Sequence, residues 1–438
     1  MIRVFFSTVL AMLVALPLRA EIAIQDVTSP KGIHAWLVED HSIPFTAIEV
    51  WFKGGAGLDA PGKRGATNLM VGLLEEGAGD LDSQEFAAAV EALAASYKFD
   101  VFDDTLIVSA QFLTENRDDA IDLLRSALTE PRFDEASLER VRGQVRSIIS
   151  GNEKDPNDIA SRTLNKLAWG DHPYGSSLNG TLESVNSLTR DDLVEAKNAT
   201  MTRDRIHVGA VGDITPEELG ALLDTLLGDL PEEGAPLPAD ATYALPRGGE
   251  TVVEFETPQS VAIFAHEGIA RDDDDFFALY VLNHVLGGGG FASVLMEEVR
   301  EKRGLTYGIS TYLVPKEHGA LMMGQVASSN DRIAEAITVV RDVWADIAAN
   351  GITEKQLTDA KTFLTGAYPL RFDGNATIAG IMAAMQSQEL PIDYIATRND
   401  KVNAVTLEDI KRVAARVLKP EDLHFVVVGQ PEGLGDQQ

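Results

Sequence analysis

Cysteine is absent from this chain of 438 residues. Its absence excludes disulfide bonds, thiolate zinc sites and cysteine nucleophiles. A chain of this length does not need disulfides, because 45% of its residues are hydrophobic and can form a sizeable core. The length itself favours two to three domains.

Long apolar runs are missing after the first twenty residues. At the N-terminus, Arg3 precedes an apolar run from Val4 to Leu16, which is too short to cross a bilayer and is typical of a secretory signal peptide. We expect residues 1–20 to be this signal peptide, with cleavage after Ala20. The sequence therefore predicts a periplasmic protein that has no membrane association after cleavage.

Basic residues are scarce. The chain has 37 Lys and Arg against 68 Asp and Glu, a formal net charge of −31. A surface this acidic repels phosphate groups and argues against nucleic acid or anionic lipid as the main partner. The charge either keeps the protein soluble or attracts basic peptides.

Histidines are few and widely spaced. No two of them lie three or four residues apart, the spacing that would put a pair of metal ligands on one face of a helix. A satisfied structural histidine is the better interpretation of each, and the sequence predicts no metal site in this chain. The eight positions are His34, His41, His172, His207, His266, His284, His318 and His424.

The chain does contain an internal repeat. Shifted by 217 positions, the segment that starts at Val185 aligns without a gap with the segment that starts at Val402, and each copy predicts a Thr-capped helix, a turn and a buried strand ending in Gly. A second echo pairs two amphipathic helices in 117–142 with two in 332–361. The repeat predicts a duplicated α+β protein.

The predicted domains follow from this duplication. Residues 230–250 are rich in Pro, Gly, Ala and acid and lack helical or strand periodicity, which marks them as the linker. The N-terminal domain is expected at 21–229 and the C-terminal domain at 251–438. We expect each domain to be an antiparallel or mixed β-sheet packed against α-helices.

Three segments in this order resemble the insulinase, or pitrilysin, family of zinc metallopeptidases. They are VWFKGGAGLDAPGKRGATNLMVGLLEEGAGD from Val50, DHPYG from Asp171 and FASVLMEEVREKRGLTYGIS from Phe291. The similarity extends over nearly the whole chain after the signal peptide and is greatest to the short members related to processing peptidases. It implies two copies of the fold shared by LuxS-like and processing-peptidase-like metallopeptidases.

The resemblance also shows what is missing. Active members carry H-x-x-E-H on the helix after the Arg-Gly pair, with two zinc ligands and a general base on one face. The matching residues here are Asn68, Val71 and Gly72, which supply neither ligand nor base. The helix expected to carry the third ligand, 141–152, contains no carboxylate. We therefore predict a vacated zinc site, an ordinary core helix and no cofactor in this chain.

The C-terminal copy keeps another part of the family pattern. Arg300 and Tyr307 match an arginine and a tyrosine that, in the family, face the zinc of the other half of the enzyme. Peptide hydrolysis builds negative charge on the carbonyl oxygen, which a tyrosine hydroxyl and a guanidinium can stabilise. Without the resemblance, the same residues would be a solvated helix-end cation and a packed strand aromatic.

A glycine-rich stretch lies just upstream of this pair. Its four consecutive glycines would leave backbone N–H groups open to a peptide or an oxyanion. The stretch resembles the longer glycine-rich loop of the non-catalytic processing-peptidase subunit, and a flexible connection between helices is the alternative. The candidate substrate-binding residues are Gly287, Gly288, Gly289, Gly290 and Phe291.

Together these features predict the non-zinc subunit of a periplasmic heterodimeric zinc peptidase. A homologous partner would supply H-x-x-E-H and zinc, this chain would supply Arg300 and Tyr307, and the substrate would be an extended peptide. The alternative is a non-enzymatic scaffold or holdase on a peptidase fold. We expect the chain alone to be inactive in either case.

Overall fold

Two β-sheets of matching topology form the centre of the molecule. The computed structural model describes residues 23–434, so the predicted signal peptide lies outside the described residues. The strands of the N-terminal half are β1 (Gln25–Thr28), β2 (His34–Glu39), β3 (Phe45–Lys53), β4 (Gly77–Ala78), β5 (Leu81–Asp82), β6 (Ser96–Val101), β7 (Thr105–Leu113) and β8 (Ile206–Gly212). Those of the C-terminal half are β9 (Glu250–Glu254), β10 (Gln259–Glu267), β11 (Ile309–Lys316), β12 (Gly319–Ser329) and β13 (His424–Gly429).

Helices connect and cover these strands. In the N-terminal half they are α1 (Ala66–Val71), α2 (Ser83–Ala92), α3 (Arg117–Thr129), α4 (Glu135–Asn152), α5 (Pro156–Trp169), α6 (Leu182–Ser187), α7 (Arg190–Thr200) and α8 (Pro216–Leu227). In the C-terminal half they are α9 (Phe276–Asn283), α10 (Ile333–Asn350), α11 (Glu354–Gly366), α12 (Asn375–Ser387), α13 (Tyr394–Ala404) and α14 (Leu407–Val417).

The strand order repeats between the halves. The first sheet runs β1-β2-β8-β3-β7-β6, and the second runs β9-β13-β10-β12-β11 when read in the same direction. In each sheet one parallel pair, β2 with β8 or β9 with β13, adjoins antiparallel neighbours. Apart from β1, the two sheets therefore have one topology, which confirms the predicted duplicated α+β class with mixed sheets.

The gapless repeat corresponds to α7 and β8 in one half and to α14 and β13 in the other. Thr189 caps α7 and Thr406 caps α14, and each accepts a hydrogen bond from the backbone N–H of an aspartate three residues later. The strands that follow end at Gly212 and Gly429, whose φ angles are +138° and +153°. A Cβ atom at either glycine would lie within 2.3 Å of the neighbouring strand, so both copies require glycine here.

Each half lends a helix to the other half's sheet. The first sheet packs one face on its own helices, while α12 of the C-terminal half covers the other face through Ala379 and Met382 against Val211. In return, α5 of the N-terminal half packs on β10 and β13. Both sheets are therefore covered on both faces, which explains why β13 is buried at every position.

The predicted linker runs between the halves without helix or strand until Glu250. It is packed against both sides, because Ala241 N–H donates to the His318 carbonyl (2.7 Å) and Ala244 N–H donates to the Ala168 carbonyl (2.8 Å). Leu245 is buried in the apolar cluster under α5. The segment thus acts as a strap that fixes the two halves together.

Within residues 23–434, every helix is too short or too polar to cross a membrane.

Candidate functional site

The helix expected to carry the zinc motif is short. α1 begins after Gly65, whose φ is +100°, and ends at Val71, with Gly72 as its C-terminal cap. Asp59 fixes the start of the helix, because its carboxylate accepts hydrogen bonds from the N–H groups of Gly65 and Thr67, both at 2.8 Å. The predicted core face is confirmed, since Ala66, Leu69, Met70 and Leu73 are buried, although Leu73 lies beyond the helix end.

The three vacated positions have ordinary structural roles. The side-chain amide of Asn68 donates to the Asn179 side chain at 3.0 Å. Val71 is 5% exposed and belongs to the apolar core of the N-terminal half. A Cβ atom at Gly72 would lie 3.1 Å from a methyl group of Val141 on α4. A larger residue there would press on the core, so the position that a ligand would need is closed.

The helix expected to carry the third ligand completes this closure. Val141, Val145 and Ile149 of α4 are buried in the same cluster as Val71. Among residues 23–434, no three His, Cys, Asp or Glu side chains come close enough to hold a metal ion. The described residues thus offer no donor set for zinc here, and Val71 packs against the apolar face of α4.

The glycine-rich stretch is not a uniformly open loop. Residues His284–Gly288 continue α9 as a π-helical turn, and Gly287 is buried, with its would-be Cβ 2.5 Å from the Thr311 hydroxyl. The prediction that Gly287 offers its backbone to a peptide is therefore wrong, because the glycine is needed for close packing on β11. Gly288 and Gly290 are exposed, and the stretch ends at Phe291, which is 69% exposed.

Arg300 and Phe291 are in direct contact. The guanidinium carbon of Arg300 lies 4.9 Å from the centroid of the Phe291 ring, a cation–π distance. The other cations of this turn are already paired, since Lys302 and Arg303 both bind Glu298 at 2.6 and 2.7 Å. These two hydrogen bonds lower the pKa of Glu298. Within the described part of the chain, no carboxylate lies within 4 Å of Arg300.

Among residues 23–434, Tyr307 is the most exposed of the large apolar or aromatic side chains, with 90% of its surface accessible. The turn after Arg300 ends at Gly304 in the left-handed region, as predicted, and the backbone then runs irregularly to β11 at Ile309. Tyr307 therefore precedes the strand. The alternative of a packed strand aromatic is wrong, because this ring packs on nothing that would explain its presence.

A polar seam between the halves was missed by the sequence analysis. Tyr174 of the DHPYG segment donates its hydroxyl hydrogen to Asp104 (2.5 Å) and accepts the N–H of His318 from the turn between β11 and β12 (3.0 Å). Lys316, beside it, binds Asp103 at 2.6 Å. Burial and the bond to Asp104 raise the pKa of Tyr174. The only sequence signal was the DHPYG segment itself, which holds the halves in register.

Family models match both halves of the chain. The model described as insulinase, peptidase family M16, matches residues 35–182, and the model described as peptidase M16 inactive domain matches residues 187–364. The second match begins inside the predicted N-terminal domain, at the last residue of α6, and crosses the strap.

Several relatives resemble the chain over most of its length. "Non-peptidase homolog YmxG" of Helicobacter pylori is 26% identical over 394 residues, covering 89% of this chain and 90% of the relative. "Uncharacterized zinc protease YmxG" of Bacillus subtilis is 23% identical and covers 94% and 99%. The mitochondrial-processing peptidase subunit beta of Neurospora crassa is 21% identical and covers 89% and 84%.

Solved structures agree with this relationship. A peptidase M16 inactive domain from Pseudomonas fluorescens superposes with a TM-score of 0.87 at 27% identity, covering 93% of this chain and 98% of that one. A protease from Helicobacter pylori has a TM-score of 0.83 at 17% identity, covering 93% and 99%, and shows the fold alone. Because the two family models together match most of its length, the chain belongs to the insulinase family, peptidase family M16, and carries that family's inactive domain.

Proposed function

We propose that this chain is the non-zinc subunit of a heterodimeric, periplasmic zinc peptidase of the M16 family. A homologous partner supplies H-x-x-E-H with its zinc, and this chain supplies Arg300 and Tyr307. The observation that carries the proposal is the exposure of Tyr307, whose hydroxyl stands in solvent beyond a turn anchored by Gly304. A phenol ring this exposed has no packing role within the chain. Contact with a partner subunit would give Tyr307 a role.

The electrostatics of the turn support this role. Glu297 and Glu298 together neutralise Lys302 and Arg303, while Arg300 is held over Phe291 and keeps its N–H groups available for a substrate carbonyl. A guanidinium can grip a peptide carbonyl, and a tyrosine hydroxyl can donate to the oxyanion that forms during hydrolysis. Exposed Gly288 and Gly290 lie on the same segment as Phe291 and would allow an extended peptide to approach the backbone.

The closed zinc position supports the other half of the proposal. Val71, Gly72 and the apolar face of α4 leave no donor set for a metal, so the chain is expected to be inactive alone. Hydrolysis requires a zinc-bound water and a general base, which the partner would contribute. The relative named as a non-peptidase homologue is consistent with this division.

The test is to search the same genome for a homologue that carries H-x-x-E-H, and to purify this chain and that homologue separately and as a mixture. We expect no stoichiometric zinc and no cleavage of a fluorogenic peptide with this chain alone. The mixture should cleave the peptide faster than the homologue alone and lose activity on chelation. One tightly held zinc per chain with chelator-sensitive activity would overturn the proposal. A mixture that binds peptide without faster cleavage would favour the scaffold.

A further inference from the structure

A cleft lies in the C-terminal half, between α9, α12, α13 and the turn Tyr368–Arg371. Its volume is about 240 Å³. Three arginines line it, Arg271, Arg371 and Arg398, and none of its lining residues is acidic. In a chain with almost two acids for each base, such a cluster without acids is unexpected. We call this cavity the arginine cleft.

Two nearby acids are used elsewhere. Asp273 and Asp275 precede α9, a few residues after Arg271, and could have neutralised it. Instead they bind Arg412 and Arg416 of α14, with distances of 2.6 to 2.7 Å. These hydrogen bonds lower the pKa of both aspartates. The carboxylates are therefore committed to α14, and the arginine cleft keeps its positive charge.

Arg398 is the clearest sign of a missing partner. It is 5% exposed, yet its guanidinium donates only to neutral groups: the Leu364 carbonyl (2.8 Å), the Asn399 side chain (2.9 Å) and the Tyr280 hydroxyl (3.0 Å). No acid within the described residues pairs with it. Removing a charge from water without a counter-ion is costly, so a bound anion would relieve that cost.

Aromatic rings orient the guanidinium groups. Arg271 lies 4.1 Å from the centre of the Phe276 ring and donates to the Tyr394 hydroxyl at 2.6 Å. Arg398 lies 4.5 Å from the centre of the Tyr368 ring. Stacking holds these planar groups and leaves their remaining N–H groups directed along the ring planes. Arg371 is exposed, next to Tyr368.

We propose that the arginine cleft binds the carboxy-terminal residue of a peptide that ends in an aromatic side chain. The arginines take the terminal carboxylate, and the walls formed by Phe276, Tyr368 and Tyr394 take the ring. The guanidinium fork matches a carboxylate in a bidentate pair. This inference goes beyond the proposed function, because the site lies in this chain alone and needs no zinc-bearing partner.

The size and walls of the cavity select this ligand class. A volume of about 240 Å³ is below the roughly 300–1,000 Å³ of drug-sized ligand sites and admits no more than one large side chain with its carboxylate. Phosphate alone would leave the aromatic walls unfilled, and an uncharged peptide end would leave the buried Arg398 without an anion. The cleft therefore fits a ligand that is anionic and aromatic at once.

The experiment is calorimetric titration of the full mature chain with N-acetyl-Ala-Ala-Phe as the free acid and as the C-terminal amide. We expect the free acid to bind, and amidation to weaken binding on the order of 10- to 100-fold, because charge-assisted hydrogen bonds to the guanidinium groups are lost. Arg371→Gln should weaken the free acid by roughly tenfold with an unchanged melting temperature, because this side chain is exposed.

Arg146→Gln is the matched control, since Arg146 is exposed on α4 and the variant has the same net charge. It should bind the free acid like the unmodified chain. Binding of 3-phenylpropionate as tightly as the peptide would assign the same chemistry to small aromatic acids, and tighter peptide binding would assign it to chain ends. Equal affinity for acid and amide, equal losses in the two variants, or full displacement by inorganic phosphate would overturn the proposal.

Discussion

The segment around α1 and the edge from Phe291 to Tyr307 differ in whether they keep the residues that match the family's active-site pattern. At α1, Val71 stands at the position of the base and is sealed in apolar packing at 5% exposed, while Asn68 and Gly72 stand at the partly exposed ligand positions and offer no metal ligand. At the other edge, Arg300 lacks an acidic partner among the described residues, and Tyr307 is 90% exposed. The α1 region packs as ordinary core. The edge from Phe291 to Tyr307 presents a guanidinium and a phenol hydroxyl that have no catalytic use inside this chain.

This difference distinguishes a position that core packing has filled from exposed residues that have no role within the chain. A sealed base position can be explained by stability alone, because the valine that stands there adds to the apolar core. An exposed tyrosine and an arginine without an acidic partner among the described residues contribute little to folding, so we look for their explanation in another molecule. Under the proposed function, the inactive chain is one half of a divided active site, and the predictions below challenge the contrast between the sealed and the open region.

Placing a charge in the sealed region around Val71 should cause the largest loss in the free energy of unfolding. Val71→Glu puts a carboxylate into the apolar cluster of α1 and α4, and we expect a loss of about 3–5 kcal/mol in the free energy of unfolding. Asn68→Glu adds the same charge on the same helix at a partly exposed position and should cost about 1 kcal/mol. Urea denaturation measures both. Equal stability of the two variants would show that the former zinc position is not sealed.

The exchanged helices should make both regions unfold together. Met382 of α12 is fully buried on the first sheet, and Met382→Ala is expected to cost about 2–5 kcal/mol. Thr377→Ala, exposed on the same helix, is the control and should change the free energy of unfolding by less than about 0.5 kcal/mol. Calorimetry should show one transition for the unmodified chain. Two separate transitions would contradict the shared packing.

The interior of the C-terminal half should exclude water as well as that of the N-terminal half. His266 tests this through the pH dependence of folding stability, with a smaller expected effect. Trp344 donates its indole N–H to Nε2 of His266 (3.2 Å), and Nδ1 faces the Glu267 carbonyl (2.7 Å), so the ring is neutral with its proton on Nδ1. Burial lowers the pKa of His266. Its unfolded form takes a proton near pH 6.5, so stability is full above that pH and falls as the pH drops below it.

We expect this group to contribute roughly 1 kcal/mol of the stability lost between pH 7.5 and pH 5.5. His266→Gln should reduce the pH dependence of the unfolding free energy, whatever it does to the absolute stability. His34→Gln is the matched control, because it removes an exposed histidine of β2 that lies outside the buried interior. The same slope in both variants would contradict a sealed interior around His266.

Much of the fold could be predicted from the sequence, because the repeat preserves local signals. The Thr caps of α7 and α14 and the glycines that end β8 and β13 depend on nearby residues, and all occur in the structure as expected. The exchange of α5 and α12 could not be predicted. An apolar stripe such as that of Ala379 and Met382 shows that a helix face is buried, but not which sheet covers it.

The candidate site was predictable to a similar degree. The motif comparison located Arg300 and Tyr307, but it could not show that the tyrosine stands outside the strand or that Gly287 is consumed by packing on Thr311. Those features depend on where β11 begins and how closely it meets the preceding turn. The arginine cleft left no local pattern at all, because its three arginines are spread from residue 271 to residue 398.

The most direct test is the steady-state turnover of the reconstituted pair with Tyr307→Phe in this chain. The variant keeps the ring and removes only the hydroxyl, and the exposure of Tyr307 means that melting temperature and assembly should not change. Our account predicts a fall in kcat on the order of 10²-fold, as when one oxyanion donor is deleted. Arg300→Ala should lower kcat and raise KM, because a guanidinium that grips a carbonyl also binds the ground state. Unchanged turnover in both variants, in an active pair, would contradict the account and leave Arg300 and Tyr307 without a catalytic role.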